Sequence, residues 1–130
     1  MTKEEANRIN TTMLAYIGDA VYELAIRKMI AEAAPNDANK AHKKAIKYVS
    51  AEGQARAARL MMDASFLTEE EERLLKRARN HRTMSKSAAA DIRDYKVATG
   101  LEALVGYLHL SEQEDRLSEI MNEVIRILDE

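Results

Sequence analysis

Two stretches of this chain are nearly free of charge, and each holds a single acid near its middle. Leu14 to Tyr22 reads LAYIGDAVY, with Asp19 its one charged residue, and Val97 to Leu108 reads VATGLEALVGYL, with Glu102 alone. Strand-like alternation is absent from both stretches and from the rest of the chain. Backbone breakers are scarce, with one proline and four glycines in 130 residues, and good helix formers (Ala, Leu, Glu, Lys, Arg, Met) dominate. The expected fold is therefore all-α. Residues 1–130 should form one domain, with the two uncharged segments as its central helices.

Punctuation marks out six helices. The first runs from about Thr12 to Ala34 and stops at Pro35. Asn36 or Asp37 caps a lysine-rich second, and Ser50 caps a third, AEGQARAARLMM. Thr68 with Glu71 forms a capping box for a fourth, EEEERLLKRAR. Asn80 to Ala90, NHRTMSKSAAA, has no clean period and reads as a loop. A fifth helix covers about Ile92 to Leu110, and Ser111 with Glu114 forms a second box that opens the last, to about Leu128.

On the first helix Leu14, Ile17, Val21 and Leu24 make the main apolar stripe, while Asp19 faces away among Ala15, Tyr22, Ile26 and Ile30. A helix apolar nearly all round is a buried one, and a buried carboxylate is costly without a partner. Gly18 and Gly100 each cost about 1 kcal/mol in a helix interior, which close approach of two backbones would offset. Helices crossing near these glycines would bring Asp19 and Glu102 together. A divalent cation with oxygen ligands, such as Mg²⁺, would relieve their repulsion. Two other arrangements suit the same residues: Asp19 capping a turn at Gly18, and Glu102 paired with Arg27 or Arg93.

The net charge of −2 conceals two basic blocks. Residues 40–59 carry six Lys/Arg against Glu52, and residues 73–96 carry eight against Asp91 and Asp94. Lys43, Lys44 and Lys47 in the first block, and Arg77, Arg79, Arg82 and Lys86 in the second, are the candidate contacts to a polyanion. One Phe, five Tyr and no Trp argue against base stacking on a single strand, so a duplex read through backbone and shape is the better partner. The absence of cysteine excludes disulfides and thiolate metal sites and fits a reducing cytosol. No apolar run approaches the roughly 20 residues that span a bilayer, and the start MTKEEANRIN is unlike a signal peptide, so a cytoplasmic protein without a membrane partner is expected.

LAYIGDAVYEL resembles the signature segment of the ribonuclease III family, and VATGLEALVGYLHL resembles its second acidic segment, Asp-x-x-Glu-Ala-Leu-x-Gly. YVSAEGQARAARLM is similar to the family's valine-serine helix start, so the likeness covers nearly the whole chain in order. The short length, the lack of a following double-stranded-RNA-binding domain and RARN…ATGLEALVGYLHL resemble the compact bacterial subfamily Mini-ribonuclease III. The resemblance implies a ribonuclease III-like helical endonuclease domain and cleavage of double-stranded RNA with Mg²⁺. It implies Asp19 and Glu102 as catalytic metal ligands, a homodimer with two sites, and trimming of precursor large-subunit (23S) ribosomal RNA. Ala15 and Thr99 stand where the wider family has two further acids, so a non-cutting, RNA-binding member of the same fold is the alternative. Glu23 is expected at a surface or dimer contact, and His42, His81 and His109 in structural or RNA-facing roles.

Overall fold

The computed structural model describes residues 1–81 and 89–130. Within them the chain is helical: α1 (Lys3–Asn7), α2 (Thr11–Ala33), α3 (Ala38–Val49), α4 (Ala51–Asp63), α5 (Glu69–Arg79), α6 (Ala89–Leu110) and α7 (Glu114–Asp129). No strand occurs among the described residues. Helix α6 is the axis of the fold, packed on α2, α4, α5, α7 and α1. Its central stretch explains why: Leu101, Ala103, Leu104, Val105 and Leu108 are all without solvent exposure. A helix this apolar is stable only when other helices surround it.

Local chemistry sets most boundaries. Asp37 accepts from Lys40 N at 3.0 Å, Ser50 from Gly53 N at 3.1 Å, and Thr68 with Glu71 closes a reciprocal capping box. Asn10 opens α2 by accepting from Met13 N at 2.9 Å. Helix α1, which periodicity does not reveal, is a single turn built by a capping box between Thr2 and Glu5.

Three expectations need correction. Ser111 does not cap α7; its hydroxyl donates back to Tyr107 O at 2.7 Å and closes α6, while Gln113 stands at the N-cap of α7 and makes no side-chain cap bond. The buried stripe of α2 is Leu14, Ala15, Gly18, Tyr22, Ile26 and Ile30, whereas Leu24 is 68% exposed. Both faces of α2 are apolar, and the one carrying Gly18 meets α6 because only there does the backbone come close enough. The crossing partner of Gly18 is Gly106, not Gly100. A Cβ on Gly106 would sit 2.0 Å from Leu14 O and one on Gly18 1.6 Å from Glu102 O, whereas Gly100 faces Leu75 of α5.

A buried ion pair ties α5 to α7. Arg116 Nη2 lies 2.8 Å from Glu71 Oε1 and donates to Phe66 O at 2.7 Å, with its guanidinium 4.9 Å from the Phe66 ring centre. Tyr22 on α2 donates to Tyr48 O at 2.5 Å, and the Tyr48 hydroxyl donates in turn to Asp129 at the end of α7.

Candidate active site

The Gly18–Gly106 contact has a chemical result one residue after Gly18 on α2 and one turn before Gly106 on α6. It brings the Asp19 and Glu102 carboxyl groups onto one cleft, close enough for Asp19 to raise the proton affinity of Glu102. Both line a cleft of about 460 Å³ between α2, the end of α5 and α6, together with Thr99, Lys96 and His81. Asp19 is exposed, so the picture of two equally buried acids is wrong. Glu102 alone is half-buried. Burial first, then the adjacent Asp19, pushes the Glu102 carboxyl up to about 8, against the opposing pull of the Gln54 amide. Two like charges brought together without a counter-ion hold a proton between them.

The donor set is what a hard divalent cation takes: carboxylate oxygens, with no thiolate anywhere in the chain. Among the described residues no cluster of three or more His, Asp or Glu side chains is in place to hold a metal. Two carboxylates and a shell of water nonetheless suffice for Mg²⁺, which keeps several of its waters in protein sites.

Residues 12–113 match the family model described as the Ribonuclease III domain. The chain belongs to the ribonuclease III family. It is thereby an endoribonuclease of the hydrolase class. Among its relatives, the Mini-ribonuclease 3 of Enterococcus faecalis is 43% identical over 119 residues, 92% of this chain and 90% of that protein. The Mini-ribonuclease 3 of Staphylococcus aureus is 35% identical over 133 residues, covering 100% of this chain and 99% of its own. A Fusobacterium nucleatum protein solved by X-ray crystallography has a similar fold, with a TM-score of 0.78 and 31% identity, over 92% of this chain and 93% of that one.

For a ribonuclease III chain, the other expected contacts are unevenly placed. Lys43 and Lys44 are exposed on α3, while Lys47 is drawn 3.4 Å from Asp129 and lies over the Tyr48 ring. Arg77 donates to Asn7 at 3.4 Å and Arg79 to Asn80 at 3.0 Å, both on or next to α5. Arg82, Lys86 and most of the NHRTMSKSAAA loop lie outside the described residues. Helix α3 packs on α2, α4 and α7, and α5 on α6 and α2, while Arg59 of the first block pairs at 2.8 Å with Asp94, within the span of the second. Glu23 pairs with Arg27 at 2.8 Å, which removes Arg27 as the expected partner of Glu102, and its charge also reaches Glu102.

Sequence reasoning misses two residues near the carboxylates. His81 enters the cleft because the end of α5 packs across α6, and no local spacing signals that. Gln54 is buried on α4, which packs on α6, and its one sequence-level signal is an amide between Gly53 and Ala55 in AEGQARAA.

Proposed function

We propose that this chain is a double-stranded-RNA endoribonuclease whose phosphodiester hydrolysis takes place in the cleft between α2 and α6. The observation that carries the reading is the convergence of Asp19 and Glu102 on one cleft at the Gly18–Gly106 crossing. Asp19 and Glu102 would hold Mg²⁺. Bound there, the ion would lower the pKa of a water and neutralise charge on the phosphate. The chain's own work is positional. Glu102 from α6 and Asp19 from α2 would hold the ion as carboxylates, and the bare backbone contact beneath sets the spacing of the two helices. Thr99, one turn before Glu102, donates its hydroxyl to Tyr95 O at 2.9 Å and so presents only lone pairs outward. Lys96 supplies positive charge and His81 an imidazole on the cleft wall, where a phosphate would lie.

The reading extends to a homodimer, to precursor 23S ribosomal RNA as substrate and to the cytoplasm. Support for the dimer is the set of exposed apolar side chains on α2 and α3: Tyr16 is 73% exposed, Leu24 68% and Ile46 54%. Support for the substrate is the likeness to the Mini-ribonuclease 3 relatives. No helix among the described residues is long and apolar enough to cross a membrane. Incubating duplex RNA with the protein, with and without Mg²⁺, tests the core of the proposal. Metal-dependent cutting is expected, and binding without cutting would favour the non-catalytic alternative.

A further inference from the structure

The cleft that holds Asp19 and Glu102 has the volume of a small-ligand site, about 460 Å³, so most of an RNA duplex must lie on surface outside it. Phosphates dominate the affinity of such a contact, and they need cations that the protein has not already neutralised. Much of the basic charge fails that condition. Lys47 is 3.4 Å from Asp129, Arg59 is 2.8 Å from Asp94, and Arg126 is held between Glu123 and Glu130. Lys43 and Lys44 are exposed, but on α3, which lines no part of the cleft.

A groove of about 640 Å³ between α1 and α5 meets the condition. Lys3, Arg73, Lys76 and Arg77 line it, against Glu4 and Glu70. Lys3 and Arg73 are exposed and enter none of the ion pairs among the described residues. Arg77 donates to the neutral Asn7 Oδ1 at 3.4 Å, which leaves its charge uncompensated, whereas Lys76 is 3.5 Å from Glu72. Helix α1 is held as the far wall by its capping box and by packing on α6. Groove and cleft adjoin across α5: Arg77 lines the first, and Ala78, the next residue, lines the second. A strand that leaves the cleft over α5 therefore reaches the groove within about 10 Å, one helix width.

We propose that the groove between α1 and α5 is a second RNA contact, binding the sugar–phosphate backbone of the duplex away from the step that is cut. The inference rests on the duplex-RNA reading above and deepens it. Lys3, Arg73 and Arg77 take phosphates. Glu4 and Glu70 would repel a bare run of phosphates, but a carboxylate accepts a hydrogen bond from a ribose 2′-hydroxyl, so a mixed wall suits an RNA backbone. Lys3 stands outside both basic blocks of the sequence, and only the folding of α1 against α6 brings it to them.

The test combines Lys3→Gln with Arg73→Gln in the whole chain, two exposed positions outside the cleft. Duplex RNA binding is followed by fluorescence anisotropy in chelator, where nothing is cut, across a range of salt concentrations. The line of log-affinity against log-salt should flatten by nearly two units in the double variant. With Mg²⁺ present, KM should rise while kcat on saturating RNA stays the same, because neither residue touches the reacting phosphate. A fall in kcat at unchanged KM would mark a structural effect on the cleft and overturn the proposal. If the double variant does not fold, the reactivity of Lys3 in the wild type takes its place. Acylation of Lys3 by an amine-reactive ester should slow when duplex RNA is bound, and an unchanged rate would overturn the proposal. A wild type that binds no duplex RNA even at low salt overturns the duplex-RNA reading and this inference with it. Binding by the wild type, with the same salt slope and KM in the variant, overturns this inference alone.

Discussion

Gly18 on α2 lies so close to the Glu102 peptide that a methyl group on it would stand 1.6 Å from the Glu102 carbonyl oxygen. The obstacle is backbone, which cannot swing aside. Gly18→Ala must therefore push α2 from α6, parting Asp19 from Glu102 in the same movement. Overpacking of this severity should cost about 3 kcal/mol. Urea denaturation would measure that cost. Cleavage should fall further than the unfolded fraction explains, and a variant of unchanged stability would contradict the contact.

Asp19→Asn and Glu102→Gln keep shape and remove charge. Each should lower duplex cleavage by orders of magnitude while leaving the fold and RNA affinity in place. Single-turnover rates and gel-shift titrations on both variants decide this, and a rate close to normal in either removes that residue from the site.

The metal-free protein should show an unusual pH profile. Glu102's folded-state pKa, about 8, is raised above the ordinary carboxylate value of 4.5. Its contribution to stability is therefore full below about pH 4.5 and is lost as pH climbs through 8. Melting temperatures in chelator should decline across that window in the wild type and stay flatter in Glu102→Gln. Mg²⁺ should restore the wild type at the alkaline end, where the ion replaces the proton. Parallel profiles for the two proteins would contradict the assignment.

Glu71 behaves in the opposite sense. Burial alone would raise its pKa, but the Arg116 hydrogen bonds and the Thr68 cap outweigh that and hold it below the usual carboxylate value. Its stabilising contribution is present above about pH 4.5 and is lost as pH falls through the lowered value. Arg116→Met leaves this acid buried and unpaired, at a cost of about 3 kcal/mol near neutrality. Denaturation at pH 7 and pH 3.5 should show the deficit shrinking once Glu71 is protonated.

Neutralising Arg77, Arg79 and Arg82 together should weaken duplex binding and spare the fold. For every phosphate that an arginine no longer neutralises, the log-affinity against log-salt line should flatten by nearly one unit. Unchanged affinity and slope would move the RNA grip to Lys43, Lys44 and their block.

Where a feature depends on neighbours in the chain, the sequence is readable. Asp37, Ser50 and Thr68 cap the helices that their spacing announces, and Asp19 and Glu102 stand out because each is the lone charge in an apolar run. What depends on packing between distant helices is not readable. Gly100 and Gly106 both lie on α6, and only the seating of α2 shows which one is crossed. The two apolar faces of α2 look equally suited to the core until the glycine contact selects one. His81 joins the carboxylates in their cleft from beyond the end of α5, through packing that no local pattern encodes.

The line from Tyr22 through Tyr48 to Asp129 has a consequence for inheritance. Tyr22, whose hydroxyl burial and then the Glu102 charge push upward, spends its one proton on the Tyr48 carbonyl, and Tyr48 spends its own on Asp129. Phenylalanine at 22 would strand a buried carbonyl, whereas phenylalanine at 48 would leave Asp129 in solvent and still beside Lys47. Natural variation should therefore be scarcer at 22 than at 48 or 129, because the line is anchored at its buried end.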